Sequence, residues 1–155
     1  MKKIYKFDRW LIHFFKHYAE GFARAGFFIT YFWFGALKVL GLSPASELVQ
    51  TLFSNTFLSS IVSFDVFYLL FGLFEVIIGL LFLFPKMERV ALLFLTLHLF
   101  TTILPLMILP EATWSGLLVP TLEGQYIIKN ILFVGLAMFT ALHLHPLRHS
   151  ITNIS

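Results

Sequence analysis

The sequence predicts an all-α integral membrane protein, a four-helix bundle with an N-terminal interfacial amphipathic helix. Of its 155 residues, 59% are hydrophobic and only 12% are charged, whereas soluble globular proteins average about 25% charged residues. Four stretches are long and apolar enough to cross a bilayer as helices. The chain has no cysteine, which excludes disulfide scaffolds, thiol catalysis and cysteine-bound metal centres. We therefore expect one membrane domain over residues 1–155.

The first predicted element is an amphipathic helix over residues 6–20. Apolar side chains recur there every three or four residues, and the charged residues fall mainly between them. A helix of this kind typically lies in the membrane interface; the alternative is a helix that docks onto a protein partner. The apolar stripe consists of Phe7, Trp10, Leu11, Phe14, Phe15 and Tyr18.

Four membrane spans are predicted after this helix, at about residues 22–41, 65–84, 90–109 and 126–145. Pro85 and Pro110 follow the second and third spans, where proline suits a helix end. Pro105 lies inside the third span, so we expect it to kink that helix or to end its regular part early.

Two connecting segments carry apolar residues and are therefore not expected to be simple loops. Residues 42–64 predict a short surface helix, for which Ser43, Pro44 and Ser46 offer a start signal. Residues 110–125 contain Trp114 and a Leu-Leu-Val run. That segment is expected either to lie in the interface or to fold inward as a lid.

The Lys and Arg residues outside the spans predict the orientation of the chain. The two segments at 42–64 and 110–125 hold none of them. By the positive-inside rule, both termini are expected on the cytoplasmic side of the membrane. Because these charges are distributed as the membrane topology requires, we expect the protein to lie in a lipid bilayer and not to bind nucleic acid. The eight cations are Lys2, Lys3, Lys6, Arg9, Lys16, Lys86, Arg89 and Arg148.

Apart from Asp65, His143 and His145 at span ends, five ionisable residues fall inside the predicted spans: Arg24, Lys38, Glu75, His98 and Lys129. Each costs about 2.5–3.5 kcal/mol at the centre of a bilayer, so such residues usually face the interior and mark a site. Arg24 is close enough to the cytoplasmic face to extend its charge to water. The other four are expected in the outer half, with both lysines about 10 Å outward of Glu75.

These residues predict a polar site beneath the outer segments. Glu75 and His98 are the candidates for catalytic proton transfer, and the candidate ligand-binding residues are Lys38, Lys129, Asn130 and Trp33. Two lysines and one carboxylate leave a spare positive charge if His98 is neutral, which suits a quinone carbonyl or a small anion. The alternatives are an ion-pair network that only fixes helix register and a His98 that is hydrogen-bonded core.

No metal site is expected. The pairs His13/His17 and His145/His149 have the spacing of two metal ligands on one helix face. Neither pair encloses the glutamate of a hydrolytic zinc motif, and Pro146 interrupts the second pair.

Three stretches of the chain carry a family resemblance: FWFGALKVLG, LFGLFEVIIGLLFLF and GQYIIKNILFVGLAMF. Together they resemble the DoxX-like membrane proteins, and within that group the reactive-chlorine-resistance type. The resemblance runs from about residue 24 to residue 139 and matches Lys38, Glu75, Lys129 and Asn130 to the family's motifs. It implies a four-helix membrane protein linked to quinone-dependent oxidation, oxidant resistance or complex assembly. The cysteine pairs of some members are absent, so no thiol chemistry is implied.

Three functions remain open on the sequence. The first is a redox-linked or oxidative-stress component that binds a quinone or small anion at the polar site. The second is a non-enzymatic accessory subunit, paired with a second copy or a larger membrane complex. The third is a small proton-coupled transporter, because intramembrane Lys, Glu and His suit a proton path. Whether the protein is an enzyme stays open.

Overall fold

A computed structural model describes residues 2–142 and residue 144, and the described chain is mostly helical. A two-stranded antiparallel hairpin, β1 (Trp114–Gly116) and β2 (Val119–Pro120), interrupts the helices. Short 3-10 helices cover Phe57–Ser60 and Pro85–Met87. The α-helices are α1 (Lys2–Val39), α2 (Ser46–Ser54), α3 (Phe64–Leu81), α4 (Glu88–Ile103), α5 (Pro105–Ile108), α6 (Pro110–Thr113), α7 (Leu122–Lys129) and α8 (Ile131–Ala141).

Three helical stretches are long and apolar enough to cross a membrane: Phe64–Leu81, Pro85–Ile108 and Leu122–Ala141. They correspond to the second, third and fourth predicted spans, and they fit a protein that resides in a lipid bilayer. The predicted effect of Pro105 is confirmed, because α4 ends at Ile103 and the short helix α5 begins at the proline.

The last span begins earlier than the predicted residue 126. Thr121 starts it, because its hydroxyl accepts a hydrogen bond from the Gly124 amide at 3.1 Å. A threonine at this position satisfies one of the unpaired amides of a helix start. The described helix ends at Ala141, and His143, His145, Arg148 and His149 lie outside the described residues.

The first predicted helix is not a separate element. Residues 6–20 and the following apolar segment form one helix, α1, of 38 residues. No proline separates the two parts, so the backbone hydrogen bonds run through the predicted boundary. Aromatic rings stack along the first part, with centroids 5.9 Å apart for Phe7 and Trp10 and 5.8 Å apart for Trp10 and Phe14.

The second part of α1 packs antiparallel against α3 at very short range. A Cβ atom added to Gly35 would lie 2.7 Å from the carbonyl oxygen of Gly72. A Cβ on Gly79 would lie 2.6 Å from the amide nitrogen of Phe32. Only glycine permits this approach, because any side chain would have to occupy the neighbouring backbone. The crossing places Lys38 of α1 beside Gly72 of α3, which is about one helical turn before Glu75.

The core of the bundle lies between α1, α3 and α4. Phe27, Ile78, Phe82, Ala91 and Leu95 are fully buried there. The rings of Phe27 and Phe82 stack with centroids 4.4 Å apart. These residues form the apolar plug, a name kept below for this set.

The two connecting segments lie on the same side of the bundle, because α1 and α4 both end there. This side is called the α2 side below. The predicted surface helix is present as α2. The predicted inward lid is not: Leu117 is 93% and Leu118 83% exposed at the hairpin tip. The hairpin instead packs through Trp114, whose indole donates to the Leu106 carbonyl at 3.2 Å.

Candidate functional site

A buried ion pair joins the first and third helices. The Nζ atom of Lys38 donates to Oε2 of Glu75 at 2.6 Å, and both side chains are buried. Lys38 lies near the end of α1, and the glycine crossing at Gly35 and Gly72 sets the separation of the two helices. The backbone of Lys38 lies beside Gly72, one turn before Glu75 on α3. The lysine side chain therefore extends along α3 to reach the Glu75 carboxylate.

His98 from α4 completes the arrangement. Its Nε2 atom lies 2.8 Å from Oε1 of Glu75, so each oxygen of that carboxylate has one partner. An ionised carboxylate can only accept hydrogen bonds, so Nε2 carries a hydrogen in this contact, whereas Nδ1 has no hydrogen-bond partner in the described chain. Lys38, Glu75 and His98 are called the triad below.

Aromatic rings enclose the triad. Phe71 stacks on the imidazole of His98 with an interplanar angle of 8°, and Lys38 Nζ lies 5.5 Å from the centre of the same ring. Tyr31 meets His98 edge to face, with centroids 5.0 Å apart. The rings lower the polarity around the ion pair and thereby strengthen its attraction.

The triad carries little net charge when His98 is neutral, because Lys38 and Glu75 offset each other. The expected spare positive charge is absent, since the structure places Lys129 elsewhere. Lys129 is exposed, with Nζ 5.0 Å from the ring centre of Tyr126 on the same helix. Lys129 lies on the outward-facing side of α7, so its side chain points away from the triad.

Two other expected ligand-binding residues also lie outside the triad. Trp33 is 60% exposed, because it sits on the face of α1 that points away from α3. Asn130 is partly buried, and its amide lies 3.5 Å from the hydroxyl of Thr102 on α4. The structure therefore brings together three of the six residues expected at the site.

A second buried polar cluster lies at the opposite end of the bundle from the α2 side. Arg24 donates from Nε and Nη2 to the Phe82 carbonyl, at 3.1 and 3.0 Å. Its guanidinium also lies 3.6 Å from Glu88, which is buried, and 3.7 Å from Glu20. The sequence led us to expect Arg24 to reach toward water, but it turns inward and secures the end of α3. Glu88 lies between the second and third predicted spans, and nothing in its sequence context signals its burial.

Within the described residues, no group of three or more His, Cys, Asp and Glu side chains is arranged to hold a metal ion. The rings of His13 and His17 stack 6.3 Å apart on α1. His145 and His149 lie outside the described chain.

Comparisons with protein-family models, curated proteins and solved structures find no match to this chain. The DoxX-like resemblance therefore stands on the three quoted motifs. Two of these motifs contribute Lys38 and Glu75 to the triad, and the third contributes Lys129 and Asn130, which lie outside it.

Proposed function

We propose that the protein is a DoxX-like, redox-linked component of a bacterial inner membrane, in which the triad binds a quinone-type ligand and exchanges a proton with it. The observation that carries this proposal is the placement of Glu75. Its two oxygens are held by side chains from two other helices, inside a span, with all three groups buried. Ionisable groups are retained inside membranes chiefly where they act on a ligand, an ion or a proton.

The charge balance favours a neutral, electron-rich ligand over a small anion. An oxyanion would need an unpaired cation, and Lys38 is already paired with Glu75 at 2.6 Å. A quinone carbonyl needs only a hydrogen-bond donor, which Lys38 supplies. Reduction of a quinone to a quinol takes two electrons and two protons; the triad delivers the two protons one after the other and takes each up from water, and a reduced electron-transfer protein in the membrane supplies both electrons.

The proposed membrane arrangement has four spans, with α1 as the first. Residues 24–38 of α1 run alongside α3, from Arg24 beside Phe82 to Lys38 beside Glu75. This part of α1 therefore lies beside α3 from Gly72 to its end, and α1 has 38 residues, more than the roughly 20 that a span needs. The distribution of Lys and Arg supports cytoplasmic termini, and residues 6–20 are proposed to lie near the cytoplasmic interface.

The test is to identify what the protein holds when it is extracted in a lipid-preserving system. Redox-difference absorbance and mass spectrometry of bound small molecules are compared for wild type, Glu75→Gln and Glu111→Gln. The last is the matched control, since Glu111 is an exposed carboxylate outside the triad. We expect a bound quinone in wild type and in Glu111→Gln, and its loss in Glu75→Gln. Ligand-free wild type, or equal occupancy in all three proteins, would overturn the proposal.

One observation favours a second candidate function, that of an accessory subunit. The first part of α1 exposes apolar side chains at alternating spacings of three and four residues, the pattern of a helix that pairs with another helix. Ligand-free protein that elutes with a stoichiometric protein partner would favour this candidate over the first. These apolar side chains are Ile4, Phe7, Phe14 and Tyr18, which are exposed, and Leu11, which is partly buried.

A further inference from the structure

An unpaired buried hydroxyl lies on the α2 side of the triad. Tyr68 is two turns before Glu75 on α3, and so about 10 Å nearer the α2 side. It is buried, and its hydroxyl has no hydrogen-bond partner among the described residues. The Ser43 side chain, buried at the start of the connection to α2, lies close enough to Tyr68 to act as its hydrogen-bonding neighbour, and Glu75 acts on Tyr68 through its charge. Ser43 and Tyr68 thus form polar steps between the α2 side and the triad.

The triad itself also presents an unpaired atom. Nδ1 of His98 is buried and has no hydrogen-bond partner in the described chain. Buried polar atoms are nearly always hydrogen-bonded, so each exception calls for a partner. Each oxygen of Glu75 already has one partner, and Nδ1 is the buried nitrogen of the triad that has none, so it accepts from an incoming donor when the imidazole is neutral.

The opposite direction is closed by the apolar plug. Phe27 and Phe82 stack between the triad and the far end of the bundle, and neither has exposed surface. Ile78 and Leu95, each one turn beyond a triad residue, are also fully buried. These side chains offer no group that donates or accepts hydrogen bonds, so no chain of such bonds runs through them.

We infer that the triad is accessible from one side only: protons and small hydrogen-bonding molecules reach it from the α2 side past Ser43 and Tyr68, while the apolar plug closes the other side. This inference rests on the proposed function, because it states from which side of the membrane the proposed site exchanges its proton. It also separates that function from a transmembrane proton path, which requires access from both sides.

The test uses single cysteines and a small, membrane-impermeant cationic methanethiosulfonate reagent. Because the chain has no cysteine, each variant carries one thiol and no background. Tyr68→Cys probes the access route and Ile78→Cys probes the plug, both on α3. Leu117→Cys and Lys86→Cys mark the two faces, because both positions are exposed at opposite ends of the bundle. Vesicles of both orientations are treated and the modified fraction is measured by mass.

We expect Tyr68→Cys to react from the face of Leu117→Cys and to be protected from the face of Lys86→Cys. Ile78→Cys should be protected from both. If Tyr68→Cys does not fold, the smaller change Ser43→Cys takes its place. Protection of the probe from the Leu117→Cys face, or modification of Ile78→Cys from the Lys86→Cys face, would overturn the inference. Neither result depends on a bound quinone, so failure here is distinguishable from failure of the proposed function.

Discussion

Glu75 links three helices that are far apart in the sequence. Lys38 approaches it from α1 and His98 from α4, and each occupies one carboxylate oxygen. Removing water from two charges is costly, and their attraction offsets that cost only while both partners are present. The contribution of each residue therefore depends on the other.

This interdependence predicts a non-additive response to substitution. Lys38→Met leaves the buried carboxylate without its cation and should destabilise the protein by about 3–5 kcal/mol. The double variant Lys38→Met/Glu75→Gln should be more stable than Lys38→Met alone, because no charge remains unpaired. Reversible unfolding in micelles measures both, with Lys86→Met as the control for an exposed lysine. If the two substitutions add independently, the pair is not coupled as described.

The sequence could predict which residues of the triad are unusual, but not which of them meet. Intramembrane position identifies Lys38, Glu75 and His98, because an ionisable group inside a span is conspicuous. Position along a span predicts only the depth of a residue in the membrane, and by depth Lys129 was as good a candidate for the site as Lys38. Whether a side chain faces the bundle depends on rotation about the helix axis, which only packing fixes. For Lys129, that rotation is outward.

At the level of elements, the crossing of α1 and α3 sets the geometry of the site. Gly35 and Gly72 let the two backbones touch, and Lys38 and Glu75 are each three residues from one of these glycines. A larger separation would move the ammonium away from the carboxylate. The glycines thus position the triad without contributing a polar atom.

Alanine substitutions at two glycines of α1 should have opposite effects. Gly35→Ala places its methyl group 2.7 Å from the Gly72 carbonyl oxygen, and overpacking of this kind costs about 1–3 kcal/mol. Gly21→Ala meets nothing within 4 Å and should stabilise the helix by about 0.5–1 kcal/mol. Thermal unfolding in the same detergent compares them with wild type. Equal shifts in the midpoint temperature would contradict the close crossing.

The element boundaries show where sequence patterns succeed. Proline fixed the break between α4 and α5 as expected, because its missing amide acts locally. The junction at residue 21 was not predictable from periodicity, since an amphipathic segment and an apolar segment can share one helix. The hairpin was also missed. Its turn holds Leu118 at a φ of 57°, a conformation that leucine rarely adopts and that no leucine-containing pattern predicts.

At the level of the whole molecule, the number of spans is the property on which the orientation depends. Three helices are long and apolar enough to cross, and α1 is proposed as the fourth. Arg24 and Lys38 lower the hydropathy of α1, although both are paired in the folded protein. Composition alone therefore understates how well this helix suits the bilayer.

The four-span arrangement makes a definite prediction about the start of the chain. Tyr5→Cys and Lys86→Cys should react with an impermeant thiol reagent from the same face of membrane vesicles. Both positions are exposed, and an even number of crossings, α1 and α3, separates them. If α1 does not cross, the two cysteines must react from opposite faces. Leu117→Cys should in either case react from the face opposite to Lys86→Cys.

The pairing of Lys38 with Glu75 also bears on biogenesis. The two residues belong to consecutive spans of the proposed bundle, so α1 leaves the ribosome before its counter-charge has been made. A lone lysine or glutamate in a nascent helix opposes transfer from the translocon into lipid. Since the ion pair forms only when α3 arrives beside α1, we expect the two helices to enter the lipid together as a hairpin.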